Sequence, residues 1–123
     1  MKWANLAIGS LVGGFSRYIL AGAVYRFAGN GFPHGTLVVN LTGCFLIGLF
    51  DTWTQERFSL GPHARMLLMI GFCGAFTTFS TLIFETSNLL KDGEFLVAVA
   101  NVLISVVAGL VLFRLGTYLG KLI

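Results

Sequence analysis

Charge is what this sequence has least of. Only 11% of its 123 residues are Asp, Glu, Lys or Arg, against about 25% in soluble domains, so an ordinary water-facing surface cannot be built from it. The two cysteines, Cys44 and Cys73, both fall inside apolar runs, which counts against a disulfide framework or a metal cluster and leaves them as small packing residues. The two histidines, His34 and His63, stand at loop ends, His34 as an interfacial residue. At loop ends no helix sets a serine or cysteine beside either of them, and an intramembrane enzyme is therefore the weakest reading. The net charge of +3 is spread without any basic cluster, so no nucleic-acid partner is implied.

What is present is hydrophobic length. Four apolar runs can be marked, about Trp3 to Val24, Thr36 to Trp53, Arg65 to Leu90 and Phe95 to Leu119, each near the roughly 20 residues that cross a bilayer core. The first is too long for a cleavable signal and carries Arg17, so it reads as a transmembrane helix. The expected fold is an all-α membrane protein, one domain over 1–123 with helices at about 3–25, 33–54, 63–90 and 94–121. Both termini and the middle loop share one side, which holds Lys2, Arg57, Arg65 and Lys121 with Arg114 as a further candidate, against Arg26 and Lys91 on the other, a small basic excess. The positive-inside rule then barely sets an orientation, and an antiparallel dual-topology dimer becomes an option.

The third run contains the stretch around which the others are arranged, Gly71 to Glu85, reading GFCGAFTTFSTLIFE. Gly costs a helix roughly 1 kcal/mol relative to Ala, and Thr or Phe about half that. Irregular backbone at membrane depth persists only where protein, water or an ion satisfies its polar groups. Carbonyls freed around Gly74 to Thr78 suit a monovalent cation with a structural role, since no acidic residue is nearby to supply the carboxylates usual for calcium.

Polar residues elsewhere point to an anion. Asn40 stands mid-helix with Thr36 and Cys44 on its face and offers amide donors; Ser80 and Thr81 add hydroxyls, and the positive edge of the Phe79 ring can hold an anion. Asn40 can equally make an interhelical hydrogen bond worth about 1 kcal/mol. Asn101, Ser105 and Gly109 form a stripe on the fourth run that either faces a conduit or packs a helix, while Gly9 with Gly13 and Gly116 with Gly120 have the spacing of close helix packing. Arg17, well inside the first run, either snorkels or draws an anion to a vestibule.

Three motifs, GxxxGxxxRY (Gly9 to Tyr18), GTLVVNLTG (Gly35 to Gly43) and GFCGAFTTFSTLIFE, occur in this order over most of the chain. In them the sequence resembles the Fluc/CrcB fluoride channel family. The resemblance implies a dual-topology homodimer in the cell membrane with two antiparallel pores that passively export toxic cytoplasmic fluoride. It implies a central structural Na⁺ on backbone carbonyls matching Gly74 and Thr77. Pore roles fall on Asn40, Phe79, Ser80 and Thr81, joined by Ser105, with Arg17 at the anion vestibule. Two departures accompany it. Leu82 stands where the second pore phenylalanine is usual, leaving Phe76, or else Phe84, to pair with Phe79. Gly109 and Phe113 replace serines common beyond Ser105. The rival reading is a small dual-topology proton-coupled multidrug exporter, which needs a membrane-embedded carboxylate, and its candidate is Glu85, near the end of the third run. A purely structural membrane subunit would leave the donors of the second and third runs unexplained.

Overall fold

The computed structural model describes residues 1–29, 31–58 and 60–123. Four helical spans carry them: Lys2–Ala28, His34–Arg57, Pro62–Lys91 and Phe95–Leu122. At about 1.5 Å per residue, helices of 24 to 30 residues run roughly 36–45 Å and exceed the hydrocarbon core of about 30 Å. The chain is a multi-pass membrane protein.

The turns are short and chemically explicit. Gly61 at φ 93° precedes Pro62, which opens the third span, and Gly93 at φ 79° turns the chain from Lys91 toward Phe95. Both angles lie in the left-handed region that glycine enters at no steric cost. Two stretches are wound as π-helix, Trp53–Arg57 closing the second span and Met66–Cys73 within the third.

Packing relies on absent side chains. The first span packs against the third, chiefly its π-wound part, about as extensively as the second packs against the fourth. A Cβ on Gly48 would strike the Phe113 carbonyl oxygen, and one on Gly116 would strike that of Phe45, so the two backbones approach reciprocally. Gly9 and Gly13, as their spacing predicts, sit against the Leu67 and Phe72 carbonyls, and Gly120 lies beside Thr52. Lipid tails are as apolar as leucine, which leaves van der Waals contact between smooth surfaces as the main adhesive. The buried core is accordingly small, with Val39, Cys73, Phe76, Leu82 and Ala98 among its members. Leu11, Phe15 and Ile19 of the first span and Leu103, Val107 and Leu110 of the fourth face outward, where lipid serves as solvent.

Asp51 ties one end of the bundle together. Its Oδ1 accepts from Arg65 Nη1 at 3.3 Å and from Gln55 Nε2 at 2.6 Å, linking the second span to the start of the third. The ion pair is partly exposed, which limits it to about 1 kcal/mol or less.

Glycine-to-alanine substitutions should separate contact from propensity. Gly48→Ala and Gly116→Ala each push a methyl into a backbone carbonyl, and a loss of about 1–3 kcal/mol is expected by analogy with overpacked cores. Gly22, with no atom within 4 Å of its would-be Cβ, should gain up to about 1 kcal/mol from the better helix former. Thermal unfolding of the detergent-solubilised variants checks the contrast.

Candidate functional site

The third span stops being helical at two adjacent threonines. Gly74–Phe76 is helical, Thr77 takes φ −91° and ψ 157°, Thr78 takes φ −151° and ψ 117°, and the helix resumes over Phe79–Lys91. The departure therefore falls at Thr77 and Thr78 rather than beginning at Gly74, whose φ of −62° and ψ of −36° are helical. Negative φ throughout means that glycine's freedom is not what makes the interruption. β-Branched residues accept extended backbone readily, and side chains from other spans satisfy the polar groups that the helix gives up.

The hydrogen bonds can be followed one by one. Thr78 N–H would donate to Gly74 O in an uninterrupted helix; it donates instead to Asn40 Oδ1 at 2.8 Å, while Asn40 Nδ2 donates to Thr78 O at 3.0 Å. One amide side chain of the second span thus satisfies both backbone groups of the most extended residue. Arg17 Nε donates to Ala75 O at 3.2 Å. Thr77 Oγ1 and Thr77 N–H both donate to Cys73 O, at 2.8 and 3.1 Å. Thr78 Oγ1 accepts from Thr81 N–H at 3.3 Å and so caps the resumed helix. Gly43 belongs to the same construction, because a Cβ there would collide with Thr77 Cγ2.

Beside the interruption lies a cavity of about 370 Å³, lined in part by Asn40, Thr77, Thr78, Phe79, Leu82 and Ser105. No charged side chain lines it. Ser105 Oγ is buried and has no hydrogen-bond partner, although a serine in a helix can usually donate to the carbonyl one turn back. A donor left free in an apolar wall is costly unless something else occupies the site.

The structure thus brings Asn40, Phe79 and Ser105 to one cavity, together with the released Thr77. Ser80 and Thr81 stand outside its lining. Their hydroxyls cluster on Thr78 Oγ1, 3.5 Å from Ser80 Oγ and 3.1 Å from Thr81 Oγ1. Arg17 is part-buried against Ala75, at the interruption. Phe76 does not pair with Phe79: its ring is buried and stacked on Phe72, with centroids 5.3 Å apart and planes at 15°. Phe84 is exposed and lies outside the lining as well, so within one chain Phe79 lines the cavity together with Leu82, without a second ring. Phe79 itself is 74% exposed.

Thr78 entered the sequence analysis only as the end of the Gly74 to Thr78 stretch, and the capping pattern of Thr78 with Thr81 was the available signal for its own part in the interruption. Nearer the Tyr25 end of the bundle, Glu85 Oε2 accepts from Tyr25 OH at 2.9 Å and from Thr36 Oγ1 at 3.0 Å. Asn101 packs inward, donating from Nδ2 to Thr86 Oγ1 at 3.1 Å, so this member of the stripe joins two helices.

Removing the Asn40 amide should loosen the interruption. Asn40→Ala leaves a buried N–H and carbonyl unmatched, a loss of about 1–3 kcal/mol, and should speed amide exchange at Thr78 and Phe79 while the second and fourth spans stay protected. Hydrogen–deuterium exchange with mass spectrometry checks both halves.

Residues 4–117 match the family described as CrcB-like protein, Camphor Resistance (CrcB). Curated relatives named fluoride-specific ion channel FluC are similar over nearly all of both chains. The protein of Geobacter metallireducens is 48% identical over 111 residues, 90% of this chain and 90% of its own. That of Solidesulfovibrio magneticus is 45% identical over 122 residues, 99% and 98%. That of Dehalococcoides mccartyi is 41% identical over 118 residues, 96% and 91%. Matched by the family model over residues 4–117, this chain belongs to the CrcB family.

Proposed function

We propose that this protein is a fluoride channel that lets the anion leave the cytoplasm passively, a transport protein and not an enzyme. The observation that carries the reading is the free, buried Ser105 hydroxyl in an uncharged cavity it shares with the Asn40 amide and the Phe79 ring. Hydroxyl and amide hydrogens and a positive ring edge replace an anion's hydration shell, whereas a cation path would call for carbonyl or carboxylate rings. The names of the relatives, fluoride-specific ion channels at 41 to 48% identity, support the same substrate.

The working unit in this reading is an antiparallel homodimer of dual topology in the cell membrane, with two pores. Phe79 and Ser80 are exposed on the single chain, and a second copy would wall the open side of each cavity and cover them. The small excess of basic residues on one side supports insertion in either direction. A central Na⁺ accompanies the dimer. Gly74 O has lost its helical donor to Asn40, and Thr77 leads into the extended residue, so both carbonyls fit an oxygen-seeking cation. Gly74 is exposed, so each chain can present its pair to a shared ion. The Na⁺ would hold the two interrupted spans together and takes no part in permeation.

A proton-coupled exporter would have to use Glu85, which is not among the residues lining the Ser105 cavity and has one carboxylate oxygen already engaged by Tyr25 and Thr36. Liposomes loaded with fluoride separate the readings: a fluoride electrode should record efflux once a potassium ionophore balances charge, with no proton gradient imposed and chloride retained. Loss of fluoride only under a proton gradient, or equal loss of chloride, would refute the channel. Ser105→Ala should slow efflux roughly tenfold to a hundredfold, by the loss of one hydrogen bond to a charged ligand worth about 1.5–3 kcal/mol, with an unchanged or higher unfolding temperature. Phe79→Ala should slow it by up to about tenfold, the scale of an aromatic-edge contact. For the central ion, exchanging Na⁺ for a bulky organic cation should lower the dimer's thermal stability, and restored Na⁺ should recover it. Stability indifferent to Na⁺ would remove the ion from the proposal.

A further inference from the structure

The same cavity contains two groups that anion conduction does not use, the thiols of Cys44 and Cys73. Cys44 lies one helical turn after Asn40 on the second span. Cys73 lies one turn before Thr77 on the third, at the end of the π-wound stretch. The two come from spans far apart in sequence, and both are free thiols. Their helix turns are in contact: a Cβ on Gly43, next to Cys44, would meet Thr77 Cγ2, and Thr77 Oγ1 donates to the Cys73 carbonyl. Cys44 Sγ occupies space that Gly109 leaves open, since a Cβ at 109 would come within 3.2 Å of it.

From this arrangement we propose that Cys44 and Cys73 form a two-thiol site for a soft divalent d¹⁰ cation, Hg²⁺, whose occupancy closes the cavity. The donor set decides the class of metal. Among the described residues no group of three or more His, Cys, Asp and Glu side chains is gathered anywhere, so an ion that needs four ligands, as Zn²⁺ does, is not served. Thiolate is the softest protein donor, and Hg²⁺ is satisfied by two of them in a line. Charge points the same way. Each thiol releases its proton as its sulfur–metal bond forms, so Hg²⁺ and two S–H groups give a neutral S–Hg–S unit and two protons in solution. A neutral unit can sit in a wall without charged side chains, where an ion of uncompensated charge could not. The bound metal would share the cavity with Asn40, Phe79 and Ser105 and occupy the space an anion must cross.

Binding is independent of the transport reading; closure of the path rests on it, and the experiment keeps the two apart. Purified full-length protein is titrated with HgCl₂, desalted, and assayed for mercury and for remaining thiols after unfolding in detergent. The expected result is one Hg²⁺ per chain with both thiols consumed, and in Cys44→Ser or Cys73→Ser one ion on one thiol that a small competing thiol strips at far lower concentration. Two ions per chain in the wild type, a thiol left reactive at saturation, or wild-type mercury stripped as easily as from the single variants would overturn the site. In fluoride-loaded liposomes, saturating Hg²⁺ should cut wild-type efflux at least tenfold and excess dithiothreitol should restore it, while the Cys44→Ser, Cys73→Ser double variant keeps its own metal-free rate. Undiminished flux with one ion bound would refute closure and leave the site standing. No flux before metal is added would refute the channel reading alone, because the stoichiometry is read separately.

Discussion

A bilayer offers no water to a peptide group that leaves its helix, and the rest of this structure follows from how that constraint is met at Thr78. The Asn40 amide meets both needs of the residue at once, accepting from its N–H and donating to its carbonyl. A peptide group unpaired in hydrocarbon would cost several kcal/mol, which no local preference of two threonines could offset. The interruption exists because the second span places an amide opposite it. Arg17 and Thr77 complete the arrangement at the Ala75 and Cys73 carbonyls.

That arrangement requires helices held at short range. Glycines at 9, 13, 48 and 116 let carbonyls lie where side chains would otherwise stand, and Gly43 makes room for the Thr77 methyl. Close approach brings the second span's amide to the third span's backbone and places Ser105 of the fourth beside both. The cavity is thus a product of three spans, and its uncharged lining with a free hydroxyl is what distinguishes it chemically from the outward apolar faces. Glu85 occupies a separate environment near the Tyr25 end, where tyrosine and threonine hydroxyls solvate one carboxylate oxygen.

Much of this was legible in the chain. The four spans follow from apolar length, the turns from Gly61, Pro62 and Gly93, and the close helix contacts from the spacing of Gly9 with Gly13 and Gly116 with Gly120. The weak helix formers of Gly71 to Glu85 marked the right segment. Finer assignments were less legible. Phe76 was expected near Phe79 by helical spacing, but the extended residues between them rotate the two rings apart, and Phe76 stacks on Phe72 instead. Ser80 and Thr81 were expected beside the anion path, yet in the single chain they turn to Thr78. Asn40 was read as a donor for an anion or as an interhelical bond, and its two bonds to Thr78 realise the second while one face of the residue still lines the cavity.

By itself the sequence determined that the chain crosses a membrane four times and that its third crossing is poorly suited to continuous helix, because length, hydropathy and helix propensity are local quantities. Only the tertiary structure decided that the helix stops at Thr77 and Thr78 and not at Gly74, that Arg17 serves the Ala75 carbonyl, and that two distant cysteines share a wall with Ser105. Those outcomes depend on partners distant in the chain, 58 residues apart for Arg17 and Ala75. Which partner satisfies a released peptide group is settled by how the spans pack, and no local pattern contains that information.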